Sequence, residues 1–399
     1  MARDYKRIRA AIIRGGTSKG VYLMDNELPS DPDIRENVIL SLYGSPDIRQ
    51  IDGLGGADPL TSKVAVIKPS LRKDADVDYT FGQVSIDQAH IDYRSNCGNI
   101  SSGVGPYAVD EGMVQAVEPI TVVRIYNTNT DKIIEAEIPV ADGKALTTGD
   151  CYIPGVPNPG AKIMLNFVNS GGAITGKILP TGQEKDIFQL KNGKRIIVSI
   201  VDASTPAVFV KARDIGISGS EPPHDIENNP RLLVLLEDIR AEAALRLKFV
   251  PTKKEAATRS QSIPKVIIVS ERQSYQGLGT AVDKSHIDFT ARAMAMGKVH
   301  KAFAVTGGIC TSTAALIEGT VVHDVSSHQE TGDIRIGHPS GTMDFSVTVE
   351  WNNGEYHVTR SAVPRTSRRL MDGLAYVPAP VFEGKPKPSD AAVKSYEKF

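Results

Sequence analysis

The chain is poor in cysteine. Cys97, Cys151 and Cys310 are the only three in 399 residues. They are too few and too far apart for a disulfide framework or a thiolate zinc cage, and the odd number leaves at least one free thiol. It also lacks an excess of charge: 46 Lys plus Arg face 47 Asp plus Glu, for a formal net charge of -1. A balance this close gives no global field for nucleic acid or an anionic membrane, so an anion must be caught by a local site. No apolar run approaches the roughly 20 residues of a membrane span. The N-terminal MARDYKRIRAAIIRGG has too few apolar residues for the core of a signal peptide. The eight histidines show neither HExxH nor paired-ligand spacing, and no G-x-G-x-x-G leads from a strand into a helix. These absences point to a chain of a reducing, cytosolic compartment, with no metal, no organic cofactor, and no nucleic-acid or membrane partner.

What is present is a strand-rich pattern long enough for two domains. Segments rich in β-branched residues recur at Ala10–Ile13, Val64–Ile67, Thr121–Tyr126, Ile196–Val201, Ala207–Val210, Val266–Val269 and Phe345–Val349. Helical periodicity covers Ser30–Leu42, about Pro230 to Lys248, and about Ser285 to Met296. Two further short helices are expected in SNCGNISSGVGPYAV after Arg94 and GGICTSTAALIEG after Thr306. Each carries a cysteine ahead of small residues, one in each half, which suggests two halves built on a common plan. Gly and Pro cluster at Ile153–Ala161 and Gly171–Gly182 and mark long connections. The boundary is therefore expected just after them, giving domains 1–184 and 185–399.

Three glycine loops and one cysteine carry the chemistry. Cys97 precedes Gly98, Asn99, Ser101 and Ser102, a polar, tightly turning setting in which a thiol at a helix start can serve as an acid or base. In Gly53–Val66, GLGGADPLTSKVAV, backbone N–H groups can cradle carboxylate oxygens, and Lys63 at the loop-to-strand junction is a candidate base. Arg14–Gly20, RGGTSKG, joins a fixed cation to a glycine turn as a second anion site. It also matches the G-x-S-x-G of a serine-hydrolase elbow at Ser18, a motif that needs a helix after the serine, whereas Val21–Met24 reads as strand. Gly337–Met343, GHPSGTM, is the third loop. Its His338 can act as acid or base, or as a structural hydrogen-bonder beside Pro339.

Taken together, RGGTSKGVYL, GSPDIRQIDGLGGADPLTSKVAV, SNCGNISSGVGPYAVDEG, SIVDASTPAVFV, IGHPSGTM and RTSRRLMDG resemble the 2-methylaconitate cis-trans isomerase family over nearly the whole chain. That family also includes 4-oxalomesaconate tautomerases, aconitate isomerases and methylitaconate delta-isomerases, and the last subgroup is the most similar in look. The resemblance implies an α/β, diaminopimelate-epimerase-like fold: two pseudo-symmetric domains, each a curled mixed sheet around a central helix, with the substrate between them and a last strand near Leu374–Val377 crossing back to the first domain. It implies a cofactor-independent isomerase that shifts a proton on a small unsaturated di- or tricarboxylate, with Lys63 and Cys97 as the acid/base pair. Gly15, Gly16, Thr17, Ser18, Gly55, Gly56, Asn99, Ile100, Ser101, Ser340, Gly341 and Met343 would hold the carboxylates, with Arg14, Ser62, Thr311 and His338 beside them. Cys310 falls where the wider fold has its second cysteine. A homo-oligomer is compatible with this reading. The alternatives are a keto-enol tautomerase of the 4-oxalomesaconate type, a non-catalytic polycarboxylate-binding protein, and a serine hydrolase using Ser18.

Overall fold

A computed structural model of the chain describes residues 4–384 apart from 94, 95, 192, 261, 262, 296 and 329–331. The expected helix start at Ser95, the helix end at Met296 and the PKPSDAAVKSYEKF tail lie outside the described residues. Two compact units emerge, one of residues 1–165 with 364–399 and one of residues 166–363.

The first unit opens with β1 (Tyr5–Gly15) and β2 (Ser18–Met24), followed by α1 (Pro32–Tyr43), β3 (Lys63–Pro69), β4 (Val77–Val84), α2 (Gly98–Asp110), β5 (Ile120–Asn127) and β6 (Lys132–Ala141). Asp31 caps α1 by accepting from the Asp33 and Ile34 amides, Pro32 occupies its first turn, and left-handed Gly44 ends it. Pairing is antiparallel for β1–β2, β3–β4 and β5–β6, and parallel for β2–β3 and β4–β5. Each parallel pair needs a crossover, and α1 and α2 supply them. The two helices take opposite faces. Val21, Leu23, Val64 and Val66 point toward α1 and form a core with Val38, Ile39 and Leu42, whereas α2 packs against the strands from the inside of the curl.

The second unit repeats this plan with β7 (Arg195–Ala203), β8 (Thr205–Lys211), α3 (Pro230–Arg246), β9 (Lys265–Glu271), β10 (Phe289–Ala295), α4 (Val305–Ala315), β11 (Gly332–His338), β12 (Gly341–Asn352) and β13 (Glu355–Arg365). From β7 to β12 the pairings run antiparallel, parallel, antiparallel, parallel, antiparallel, the order seen from β1 to β6. Helix α3 packs outside on Val208, Val210, Val266 and Ile268, and α4 inside against β7, β8, β11 and β12. Close approach of α4 to its sheet depends on Gly308, where an added Cβ would lie 1.9 Å from Cζ of Phe345. The architecture is thus the α/β, diaminopimelate-epimerase-like one, a curled mixed sheet around a central helix, built twice.

Two expectations differ from the structure. The segment around Ser285 to Met296 is not helical; it is the strand β10, preceded by a short turn of 3-10 helix at Lys284–His286. Its Ala, Met and Arg residues are good helix formers, but β10 is paired on both sides and buried on both faces, so no period of two marks it. Arg292 is tolerated there because its guanidinium donates to the carbonyls of Ser220, Glu221 and Ala291. The units divide before residue 166 rather than near 184. The glycine-rich stretch after Gly171 is tied into the second unit by Asp202, whose carboxylate accepts from the amides of Ile174 and Thr175. The chain re-enters the first unit at Pro364, and its final strand β14 (Ser367–Pro378) pairs antiparallel with β1 from Gly15↔Ser367 to Tyr5↔Pro378.

Candidate active site

Strand register decides which side chains of the first unit share a face. Along β2, Tyr22 donates from its hydroxyl to the Ile100 carbonyl at 2.5 Å, and an added Cβ on Gly20 would lie 3.1 Å from Cδ1 of Ile100. Alternation therefore aims Ser18, Gly20 and Tyr22 at α2. Lys63 pairs with Gly20 across the parallel ladder and with Gln83 across the antiparallel one, so Lys63 and Gln83 point to that same face, with Phe81 and Tyr79 next along β4. Lys63 is buried; its Nζ donates to Oε1 of Gln83 at 2.5 Å and sits 5.3 Å above the Phe81 ring.

Cys97 is the N-cap residue of α2, extended in backbone, its thiol making no cap hydrogen bond. The thiol is partly exposed and lies at the positive end of the α2 dipole. Its neighbours are Tyr22, Tyr79 and Arg365. Burial first, and then the Cys97 charge, push both phenols upward, so they stay protonated donors. Burial pulls Arg365 down to about 10, and the charges of Cys97 and then Cys151 oppose that, which leaves a guanidinium charged at neutral pH. Arg365 also packs by Gly16, where an added Cβ would lie 3.3 Å from its Cδ.

The loops hold this corner together. Gly15 lets β1 lie on the first turn of α2, since an added Cβ would be 2.2 Å from the Asn99 carbonyl oxygen. Asn99 in turn donates from Nδ2 to Thr17 Oγ1 at 3.0 Å. The Gly53–Ser62 loop is organised by Gln50, whose Oε1 accepts from the Ala57 amide at 2.8 Å and the Ser62 hydroxyl at 2.7 Å. Gly55 packs on that amide and Gly56 on Thr61.

Several residues expected to touch substrate make hydrogen bonds within the protein or are buried. Arg14 turns its guanidinium back on the chain, Nη1 donating to the carbonyls of Gly16 and Thr366 and to the Thr366 hydroxyl. Ser62, Ile100 and Ser101 are fully buried. The Ser101 hydroxyl shares its one proton between Asn96 Oδ1 and the Cys97 carbonyl oxygen, both at 3.1 Å, bracing the turn that carries the thiol. In the second unit, Cys310 is 0 % exposed, its thiol donating to the Val201 carbonyl at 3.2 Å, and burial pushes that thiol well up. It lies within α4, whose N-cap is Ala304. The position matching Cys97 is therefore alanine, while Lys265 opens β9 as Lys63 opens β3. Thr311 is also buried, and its hydroxyl donates to the Gly307 carbonyl. His338 is buried and accepts at Nδ1 from the Ser340 amide at 3.2 Å. Ser340, Gly341 and Met343 lie at the turn from β11 into β12, the Ser340 hydroxyl donating to the Lys301 carbonyl. The residue after Ser18 continues a strand, not a helix, so the nucleophile elbow is not formed.

Gln83, Arg365, Tyr22 and Tyr79 carry no signal in the sequence reading. All four stand in strands rather than glycine loops, and only register or packing brings them toward Lys63 and Cys97. Among the described residues, no group of three or more His, Cys, Asp or Glu is gathered as a metal ion would need. No helix among them is long and apolar enough to cross a membrane.

The family model described as PrpF protein matches residues 5–378. The chain belongs to the PrpF protein family. Within this family it is 47% identical over 379 residues to the 3-methylitaconate isomerase of Eubacterium barkeri, covering 94% of this chain and 98% of that protein. It is 37% identical over 390 residues to the 2-methyl-aconitate isomerase of Cupriavidus necator, with 94% and 98% covered. A crystal structure of methylitaconate-delta-isomerase superposes with a TM-score of 0.88 at 46% identity, over 95% of this chain and 98% of that one. This PrpF-family chain is an isomerase.

Proposed function

We propose that the chain moves a proton, and with it a carbon–carbon double bond, on a small unsaturated di- or tricarboxylate such as methylitaconate, aconitate or 2-methylaconitate. The observation that carries this reading is the shared face of Lys63 and the α2 N-terminus bearing Cys97. A neutral Lys63 amine takes an allylic C–H proton, and the electron pair delocalises into a dienolate. Cys97 S–H then protonates the far carbon, leaving a thiolate and an ammonium that exchange their proton with solvent before the next turnover. The dienolate puts negative charge on carboxylate oxygens. Arg365, the amides of the first α2 turn and the Ser18 hydroxyl are the donors assigned to it in this reading, each worth about 2.7–4 kcal/mol when preorganised. Rotation about the former double bond in the same intermediate accounts for cis-trans isomerisation.

Incubation of methylitaconate, cis- and trans-aconitate, 2-methylaconitate and 4-oxalomesaconate with the protein in heavy water, followed by proton NMR, tests the proposal. Isomerisation of at least one acid with deuterium at carbon is expected. Binding without exchange would replace the reading by that of a polycarboxylate-binding protein, and turnover of 4-oxalomesaconate alone by a tautomerase.

Ser18 gives a prediction of opposite sign for stability and activity. Its Oγ is buried with no hydrogen-bond partner in the protein, in a side chain 2% exposed, so removing it costs no folded-state bond. In Ser18→Ala the urea midpoint is expected to be unchanged or slightly higher. kcat/KM is expected to fall roughly tenfold as one carboxylate donor is lost.

A further inference from the structure

Gln83 is held more tightly than a strand residue on an interior face needs to be. Its amide Nε2 donates to the Ser62 carbonyl at 2.9 Å and to the Pro59 carbonyl at 3.1 Å. Both N–H bonds are thereby used, and the amide can present only its oxygen to Lys63 Nζ, the 2.5 Å contact. The orientation is not reversible, because a flipped amide would set Oε1 against two carbonyl oxygens and Nε2 against an amine. We infer that Gln83 is the positioning residue of the proposed base: it fixes the Lys63 amine by one hydrogen bond while adding no charge that would hold the ammonium form.

The inference rests on the proton-transfer reading above. A neutral amine has two N–H bonds and one lone pair. With one N–H directed to Gln83 Oε1 and the Phe81 ring on another side, the lone pair has few directions left, and the amine's rotation is restricted where a base must meet a C–H bond. A carboxylate at the same site would make the same hydrogen bond but pair with the ammonium, so that the base form would appear only at higher pH. The other titratable groups facing this corner are Tyr22 from β2, Tyr79 from β4, Cys97 at the N-cap of α2, Arg365 beside that thiol, and Asp92, which pairs across the ladder with Gln83 and so shares its face, while Tyr43 of α1 donates to the Lys63 carbonyl. The carboxylate of Asp92 stands one strand beyond Gln83, so the ladder neighbour of Lys63 on this strand is an uncharged amide. The Gly53–Ser62 loop, organised by Gln50, gains a further anchor from the same side chain, so Gln83 ties the loop that precedes the base to the base itself.

Gln83→Glu and Gln83→Met separate charge from anchoring, since both lose the two donations to the loop and only the first adds a negative group. In rate-against-pH profiles taken on the substrate found by NMR, Gln83→Met is expected to lower kcat by roughly 10- to 100-fold with its rising limb near that of the unaltered protein. The rising limb of Gln83→Glu is expected to lie about one pH unit or more higher, with KM changed only a few-fold in both. Identical profiles for the two variants, or kcat within threefold of the unaltered protein in both, would overturn the assignment. Lys63→Ala run alongside distinguishes the levels: if it retains isomerisation, the Lys63 reading itself fails. If it is inactive while the Gln83 variants are indifferent, only the role of Gln83 does.

Discussion

Lys63→Ala and Cys97→Ser are each expected to lose turnover by on the order of 1000-fold, within the range that general acid–base groups contribute, while binding of the substrate or a saturated analogue stays within a few-fold. The separation follows from placement. Lys63 hangs from the first residue of β3 and Cys97 from the cap of α2, whereas the backbone donors of the α2 first turn and the Arg365 guanidinium are untouched by either substitution. Cys310→Ser is expected to leave kcat within a few-fold, because its thiol is enclosed beside the Val201 carbonyl and a serine hydroxyl can make the same donation. Activity and calorimetric affinity for the three variants side by side check this. Full activity in Cys97→Ser, or a loss in Cys310→Ser as deep as in Cys97→Ser, would show that the acid/base pair lies elsewhere.

Arg365→Gln is expected to lower kcat/KM by roughly 100- to 1000-fold, the range for removal of one preorganised donor to a developing oxyanion. The guanidinium stands within the field of the Cys97 thiol, behind the Gly16 turn, where a substrate carboxylate conjugated to the shifting double bond would collect charge. Arg365→Lys should recover only part of the loss, since an ammonium on a flexible four-carbon stem is a point charge without the planar fork. The measurement is kcat/KM with circular dichroism as a check on folding. A folded Arg365→Gln with kcat/KM within threefold would remove Arg365 from the site. Arg14, the arginine favoured by the glycine-turn motif, makes the contrast: its Nη1 braces Gly16 and Thr366, so its replacement should show first in stability.

Why one arginine was visible in the sequence and the other was not has a physical basis. RGGTSKG advertises Arg14 because glycine turns and cations are local features, readable in a window of a few residues. Arg365 belongs to a stretch of basic residues near the chain end, and nothing in RTSRRLMDG says which of its arginines is buried. That depends on β14 pairing with β1, more than 350 residues away in sequence. Gln83 is similar: a polar residue in an alternating strand reads as solvent-facing, and only the curl of the sheet around α2 makes that face an interior.

The common plan of the two halves illustrates the same division. Cysteine ahead of small residues marked the two central helices correctly, yet in the second the helix begins at Val305 with Ala304 as its cap, so Cys310 lies deep within it. Helix start is set by which backbone amides leave the strand ladder, and a small-residue run does not specify that to within two turns. The helix expected near Ser285 to Met296 failed for a related reason, since pairing on both edges outweighed helical propensity.

By itself, then, the sequence determined the alternation of β-branched strands with helices and the glycine loops flanking Ser18, Lys63 and Cys97, because each of these is carried by neighbouring residues. Tertiary structure alone decided which side chains meet. Ladder register brought Lys63, Gln83 and Ser18 to one face, burial separated Arg365 from Arg14 and Cys97 from Cys310, and the return of β14 to β1 closed the first unit. These are contacts between residues far apart in the chain, and no local preference contains them.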